Sequence, residues 1–246
     1  MTQRAVTTCD GQSIAYLVEP GENPVLLVHG FGSAAIPTWD ATGWMKALAD
    51  AGFGVIAPDL RGHGSSSKPH EAADYYSAVL ASDLATVLDA EHLTHVDVIG
   101  YSMGSQICRA FARDAPGRIR RLVLGGIGSV EQFSHWGVDA IQAVLLDGRT
   151  VADPVAERML RAALTGPDPD PAALVACAQG VMSDPVVSPP VVPTLVVSGE
   201  VDPVAIGAPG FAERMGAEFV SVPKRNHFTT LSSRAFKAAA LEFLVR

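Results

Sequence analysis

The sequence is short of cysteine, short of positive charge, and has no long apolar run. Its three cysteines, Cys9, Cys108 and Cys177, are an odd number with no C-x-x-C spacing. That excludes a disulfide framework and a thiolate zinc site, and it reads as unpaired thiols in a reducing compartment. Lysine and arginine total 18 against 26 aspartates and glutamates, a net charge of −8. Neither nucleic acid nor an anionic membrane selects so acidic a chain. No apolar stretch approaches the roughly 18 residues that span a bilayer. Met1-Thr2-Gln3-Arg4-Ala5 opens without the apolar core of a signal peptide. The expectation is a cytoplasmic protein with no nucleic-acid and no membrane partner. No H-E-x-x-H spacing is present, and His29-Gly30-Phe31-Gly32 lacks both G-x-G-x-x-G and a following Lys-Ser/Thr. No metal and no cofactor are expected.

What is present is apolar content, 48% of 246 residues, enough for a substantial core. Residues 4–8 and 12–18 read as strands of a hairpin turning at Asp10-Gly11. A continuous apolar run at 25–28 suits a strand covered on both faces, and further strands are read at 55–57, 95–100, 122–124, 194–197 and 219–222. Between them lie helical patterns at 42–51, after Ser77, after Ser102 and near 208–215, with a last helix carrying Phe236, Ala240, Phe243 and Leu244 inward. After Ser77, Leu80, Leu84, Val87 and Leu88 form one apolar stripe. This alternation predicts an α/β fold, a mostly parallel eight-stranded sheet with helices on both faces. The rhythm breaks over 127–190, where three helices are expected near 131–146, 153–164 and 171–182. Asp153-Pro154 and Asp170-Pro171 serve as helix starts there. That segment leaves through the proline-rich return Asp184–Pro190. The core is therefore assigned to 1–126 and 191–246, and a helical cap insertion to 127–190.

Chemistry gathers where strands end. Gly100-Tyr101-Ser102-Met103-Gly104 is a G-x-S-x-G turn between a strand and a helix, which lifts a serine hydroxyl clear of the sheet. A larger residue than glycine at 100 or 104 would strike a neighbour in so tight a bend. The loop after 194–198 carries Asp202, and the loop after 219–222 carries His227. A serine hydroxyl needs a base to take its proton, and the imidazole needs a carboxylate to fix its tautomer. Of the other histidines, His29 and His63 are expected to hold loops, and His70, His92 and His95 to lie on the surface. Asp59 is expected to anchor its loop with Arg61.

Together with His29-Gly30-Phe31-Gly32, the D-x-R-G-H-G stretch at 59–64 and Gly199-Glu200-Val201-Asp202-Pro203, these motifs resemble the α/β-hydrolase fold family, over essentially the whole chain. The resemblance implies Ser102 as nucleophile, Asp202 as triad acid and His227 as base, with the backbone N–H groups of Phe31 and Met103 as an oxyanion hole. It implies a serine hydrolase acting on a small, largely apolar ester or lactone. The alternatives on this framework are a carbon–carbon bond hydrolase of ring-cleavage products, a cofactor-free perhydrolase, and a ligand receptor retaining the triad. Epoxide hydrolases of this fold resemble the chain less, having aspartate where it has Ser102. Within 127–190, Trp136 and Phe133 are the first candidates for an apolar substrate pocket, and the 33–39 loop is a second candidate wall. Ser105, where many members have glycine, is expected to adjust helix packing.

Overall fold

The computed structural model describes residues 1–186 and 188–246; Val187, in the proline-rich return, lies outside them. The expected eight strands are present: β1 (Thr2–Thr7), β2 (Ser13–Glu19), β3 (Glu22–Val28), β4 (Phe53–Pro58), β5 (Val96–Tyr101), β6 (Ile119–Gly125), β7 (Thr194–Gly199) and β8 (Glu218–Val222). They form one sheet in the order β1-β2-β4-β3-β5-β6-β7-β8. The hairpin β1–β2 adds an antiparallel edge, β2 pairs antiparallel with β4, and the remaining pairs are parallel.

The central strands are apolar along their length because both faces of the sheet are covered there, whereas β8, at the edge, is only partly buried. Val25 and Leu27 face one side with Trp44, Leu48 and Phe236, while Leu26 and Val28 face the other with Leu84, Ile107 and Phe111. Alternation of side chains along each strand thus feeds two cores at once. Helices α1 (Trp44–Asp50) and α10 (Arg234–Leu244) supply the first core. Helices α2 (Ser77–Ala90), α3 (Met103–Asp114) and α8 (Ala208–Arg214) supply the second. The α2 stripe of Leu80, Leu84, Val87 and Leu88 is buried throughout. Helix α1 is shorter than its pattern, and Ala51, past its end, is exposed.

Between β6 and β7 the described residues form four helices rather than three: α4 (Gln132–Trp136), α5 (Val138–Leu145), α6 (Pro154–Ala163) and α7 (Pro171–Ser183). The single helix expected over 131–146 is broken at Gly137, whose φ of 79° and ψ of 153° no helix accommodates. Asp153 and Asp170 cap α6 and α7 as their sequence positions suggested. Each accepts two amide N–H groups of the first turn, with Pro154 and Pro171 following. The short α9 (His227–Leu231) was not foreseen. Among the described residues, no helix is long and apolar enough to cross a membrane.

The topology sets the site. From β3 the chain winds to β4 on one side, then returns to β5 on the other, so the strand order reverses between β3 and β5. Such a switch point opens a crevice at the carboxyl ends of the strands. Val28 and Gly100 are register partners there, which brings the His29–Gly32 loop beside Ser102.

Candidate active site

The serine turn is as tight as its glycines require. A side chain at Gly104 would lie 2.2 Å from the Val28 carbonyl oxygen, so α3 could not approach β3 with any other residue there. Ser102 has φ 56° and ψ −123°, a conformation costing about 1–3 kcal/mol that the surrounding sheet must hold. Two bonds do so: Ser102 N donates to the Gly125 carbonyl at 2.8 Å, and the buried Ser105 hydroxyl donates to the same oxygen at 2.8 Å. Ser105 thus ties the start of α3 to the end of β6.

The turn projects the serine hydroxyl toward His227, whose Nε2 lies 2.9 Å from Ser102 Oγ. Its Nδ1 lies 2.9 Å from Asp202 Oδ2 and 3.2 Å from Oδ1. An ionised carboxylate only accepts, so Nδ1 carries the proton and Nε2 is left with a lone pair facing the hydroxyl. Asp202 is fixed in turn by the amides of Val204 and Ala205, at 2.8 and 3.3 Å from Oδ1. Imidazole and carboxylate are almost wholly shielded from water, which strengthens this pairing.

Two supports of His227 escaped the sequence reading. Asn226 and Thr229 form a reciprocal capping box that starts α9 and places His227 at its first position; the Asn-x-x-Thr spacing carried that signal. Tyr101, beside the serine, donates its hydroxyl to the His227 carbonyl, and its ring lies 5.2 Å from the imidazole. Burial raises the Tyr101 hydroxyl well above its ordinary range, so it remains a donor. Nothing in the sequence pairs residues 101 and 227.

Ser102, Met103, Phe31, Phe133 and Trp136 all line one cleft of about 460 Å³, mouth included, with Gln106, Ile127, Gln132, Met159 and Val204 among its other walls. Phe31 and Phe133 meet edge to face at 4.9 Å, and Phe133 and Trp136 at 6.0 Å. The amides of Phe31 and Met103 donate to no acceptor among the described residues. The indole Nε1 of Trp136 is buried and also without a partner.

Two expectations are corrected. The 33–39 loop does not line the Ser102 cleft. A turn over Ile36–Asp40 folds Trp39 into the core against Trp44, leaving Ser33 and Pro37 on a separate groove with Met159 and Ala163. Asp59 and Arg61 hold their loop independently. Asp59 accepts from the amides of Ala35 and Ser65, while Arg61 turns away to Asp10 and Asp83.

His29 and His63 do hold loops. His29 Nε2 accepts from the Leu60 amide at 2.9 Å, so its Nδ1 donates to Gly30 O at 2.8 Å. His63 Nδ1 donates to Arg61 O at 3.0 Å. Burial pushes His29 down to about 4 and His63 to about 3, keeping both neutral. In the unfolded chain each titrates near 6.5. As pH falls from about 6.5 toward 4, the unfolded chain therefore takes up protons that the native state refuses, and stability is lost. The expected slope approaches roughly 1.4 kcal/mol per pH unit for each histidine. Urea unfolding at pH 7, 6, 5 and 4 should show it, with about half the slope removed in His63→Gln. A flat profile over that range would contradict it.

The α/β hydrolase fold family matches residues 23–158, more than half the chain. The chain belongs to the α/β hydrolase fold family. A hydrolase from Pseudomonas aeruginosa is similar over 99% of this chain and 98% of its own, at 27% identity and a TM-score of 0.79. A thermophilic esterase from Thermogutta terrifontis is similar over 100% and 98%, at 25% identity and a TM-score of 0.81. A 2-hydroxy-6-oxo-2,4-heptadienoate hydrolase of Pseudomonas putida is 38% identical over 121 residues, 48% of this chain and 42% of that protein. Epoxide hydrolases also match. The chain spans less than half the length of the curated relatives it matches.

Proposed function

We propose that this α/β hydrolase is a serine hydrolase cleaving small, largely apolar carboxylic esters or lactones. The observation that carries the reading is the continuous relay Asp202–His227–Ser102, at 2.9 Å in both links, opening onto an apolar cleft. Ser102 Oγ attacks the ester carbonyl as His227 Nε2 takes its proton, and His227 then returns that proton to the leaving alcohol. The carbonyl oxygen, now negative, sits against the amides of Phe31 and Met103, a pair of donors whose loss costs about 10²–10³ in rate each. Water, deprotonated by His227, then attacks the acyl-enzyme carbonyl, and His227 returns that proton to Ser102 Oγ as the acid leaves. No metal or organic cofactor is required for these steps.

The cleft's chemistry supports a neutral substrate. Its lining includes no lysine or arginine, and its one carboxylate, Glu131, accepts from the amides of Phe133 and Ser134. A dienoate, the substrate class of the P. putida relative, brings a carboxylate that such walls do not neutralise. The feature favouring that second reading is Arg158, which stacks over Phe228 at 5.0 Å in the neighbouring groove beside His227.

A p-nitrophenyl ester series from acetate to decanoate, run beside a 2-hydroxy-6-oxo-dienoate, tests both. The proposal expects a short-chain optimum and no dienoate cleavage. Dienoate cleavage without ester turnover would establish the second reading instead, and inertness toward both would overturn the enzyme assignment.

A further inference from the structure

Helix α3 carries more than the serine turn. Ser102, Gln106 and Arg109 fall at i, i+4 and i+7, one stripe rising roughly 10 Å along the helix. Gln106 lines two hollows: the Ser102 cleft, and a second of about 780 Å³, mouth included, on the other side of residues 127–131. The second hollow is walled by Arg109, Arg214, Phe211 and Met215, and it holds no group of the serine relay.

Arg109 is the unusual member. It is only 8% exposed, its Nε is buried without a partner, and its Nη2 meets nothing better than Met215 Sδ at 3.7 Å. Its guanidinium lies 5.1 Å from the centre of the Phe211 ring, a weak substitute for a counter-ion. Burial lowers its pKa to about 10, which leaves it charged at neutral pH. The chain's other buried arginine, Arg61, is gripped by two aspartates. A shielded guanidinium without a carboxylate is costly to fold, and five donors in a planar fork suit an oxyanion.

Arg214, on α8, adds a second cation at the same hollow. Its Nη2 donates to Ser129 Oγ at 2.8 Å, and it has no carboxylate within 4 Å among the described residues. The one acid at the rim is Glu131, whose oxygens are occupied by two amides of α4 and by Gln106 Nε2 at 3.2 Å. In a chain of net charge −8, this hollow is thus a local excess of positive charge, walled by a guanidinium that no carboxylate pairs.

We propose that the hollow between α3, α8 and residues 127–131 binds a small oxyanion, a carboxylate or a phosphate, held by Arg109 and Arg214. The bound group takes the place of the missing carboxylate beside the Arg109 guanidinium. The proposal does not depend on the ester reading, because binding is measured without turnover.

The test uses the full chain with succinate and inorganic phosphate as probes, in isothermal titration and thermal unfolding. The variants are Arg109→Met, which keeps the side-chain volume, and Arg214→Gln on the exposed side, which serves if the first fails to fold. At a concentration near 100 times Kd the wild type should gain about 5 °C in Tm. Arg109→Met should lose that gain and Arg214→Gln should weaken Kd by about tenfold. Excluded salts stabilise any protein, so the decisive quantity is the difference between wild type and variant in the same buffer. Equal gains in all three proteins, or no heat of binding with either probe, would overturn the proposal. Binding that competes with a neutral ester assigns the oxyanion to the far end of a substrate lying along the stripe. Binding without competition assigns it to a separate small-molecule effector.

Discussion

Replacing Ser102 with alanine is expected to reduce ester turnover by about 10⁴–10⁶ while leaving the protein folded. The two halves of that expectation have separate physical grounds. Only the hydroxyl faces His227, and no other serine, threonine or cysteine side chain lines the cleft, so no substitute nucleophile stands within reach of the imidazole. The fold, by contrast, is tied at this position without the Ser102 side chain: the Ser102 amide donates to Gly125 O, and the Ser105 hydroxyl to the same oxygen. Alanine keeps both bonds and bears the same φ of 56°, so Tm should move by no more than a few degrees. A fluorophosphonate should label Ser102 in the wild type and label nothing in the variant. Asp202→Asn provides the companion measurement. The geometry survives, but an amide presenting its NH₂ to Nδ1 favours the wrong imidazole tautomer, and a loss of about 10⁴ is expected. The two losses should not add, since they remove parts of one unit. Wild-type-like ester turnover in a folded Ser102→Ala protein would remove the serine mechanism altogether.

The parts of this arrangement that were legible in the sequence are those written in local pattern. Val25–Val28 had to be covered on both faces because no residue in it is polar. Asp153-Pro154 suggested a helix start because aspartate caps the first amides and proline needs no amide there. Ser102, Asp202 and His227 could be picked out because each follows an apolar run, and the α/β hydrolase resemblance then attached roles to them. What escaped depends on distance through space. The split at Gly137 turned on one backbone conformation inside an otherwise helical pattern. The 33–39 loop, a candidate wall, turns away from the cleft because its Trp39 gains more by burial against Trp44 than at a cleft edge. The spacing of Gln106 and Arg109 from Ser102 is visible in the sequence, but that Arg109 lacks a carboxylate is not. The same limit applies to Arg61, whose motif suggested Asp59 as its companion although its partners stand 51 and 22 positions away.

Those partners make Arg61 the site of the largest expected loss of stability. Its side chain is 1% exposed and that of Asp83, on α2, 2%. The pair meets through two parallel bonds, Nε to Oδ2 at 2.9 Å and Nη2 to Oδ1 at 2.8 Å. The remaining donors reach Asp10 in the β1–β2 turn, whose carboxyl the guanidinium holds down at about 2. One buried cation therefore fastens the edge hairpin, the loop after β4 and α2 together. Burial raises the Asp83 carboxyl more than its hydrogen bonds to Arg61 lower it, so this carboxylate depends on its partner. Arg61→Met would leave Asp83 shielded and unpaired, at a cost of about 3–5 kcal/mol. Asp83→Leu should be milder, because Arg61 retains Asp10 and a path to solvent on that side. The double variant Arg61→Met, Asp83→Leu should recover much of the loss, since two apolar residues replace the pair without a stranded charge. Urea unfolding of the four proteins at pH 7 measures the coupling directly. If the double variant is as unstable as the sum of the two single ones, the buried pair is not what holds these three elements together.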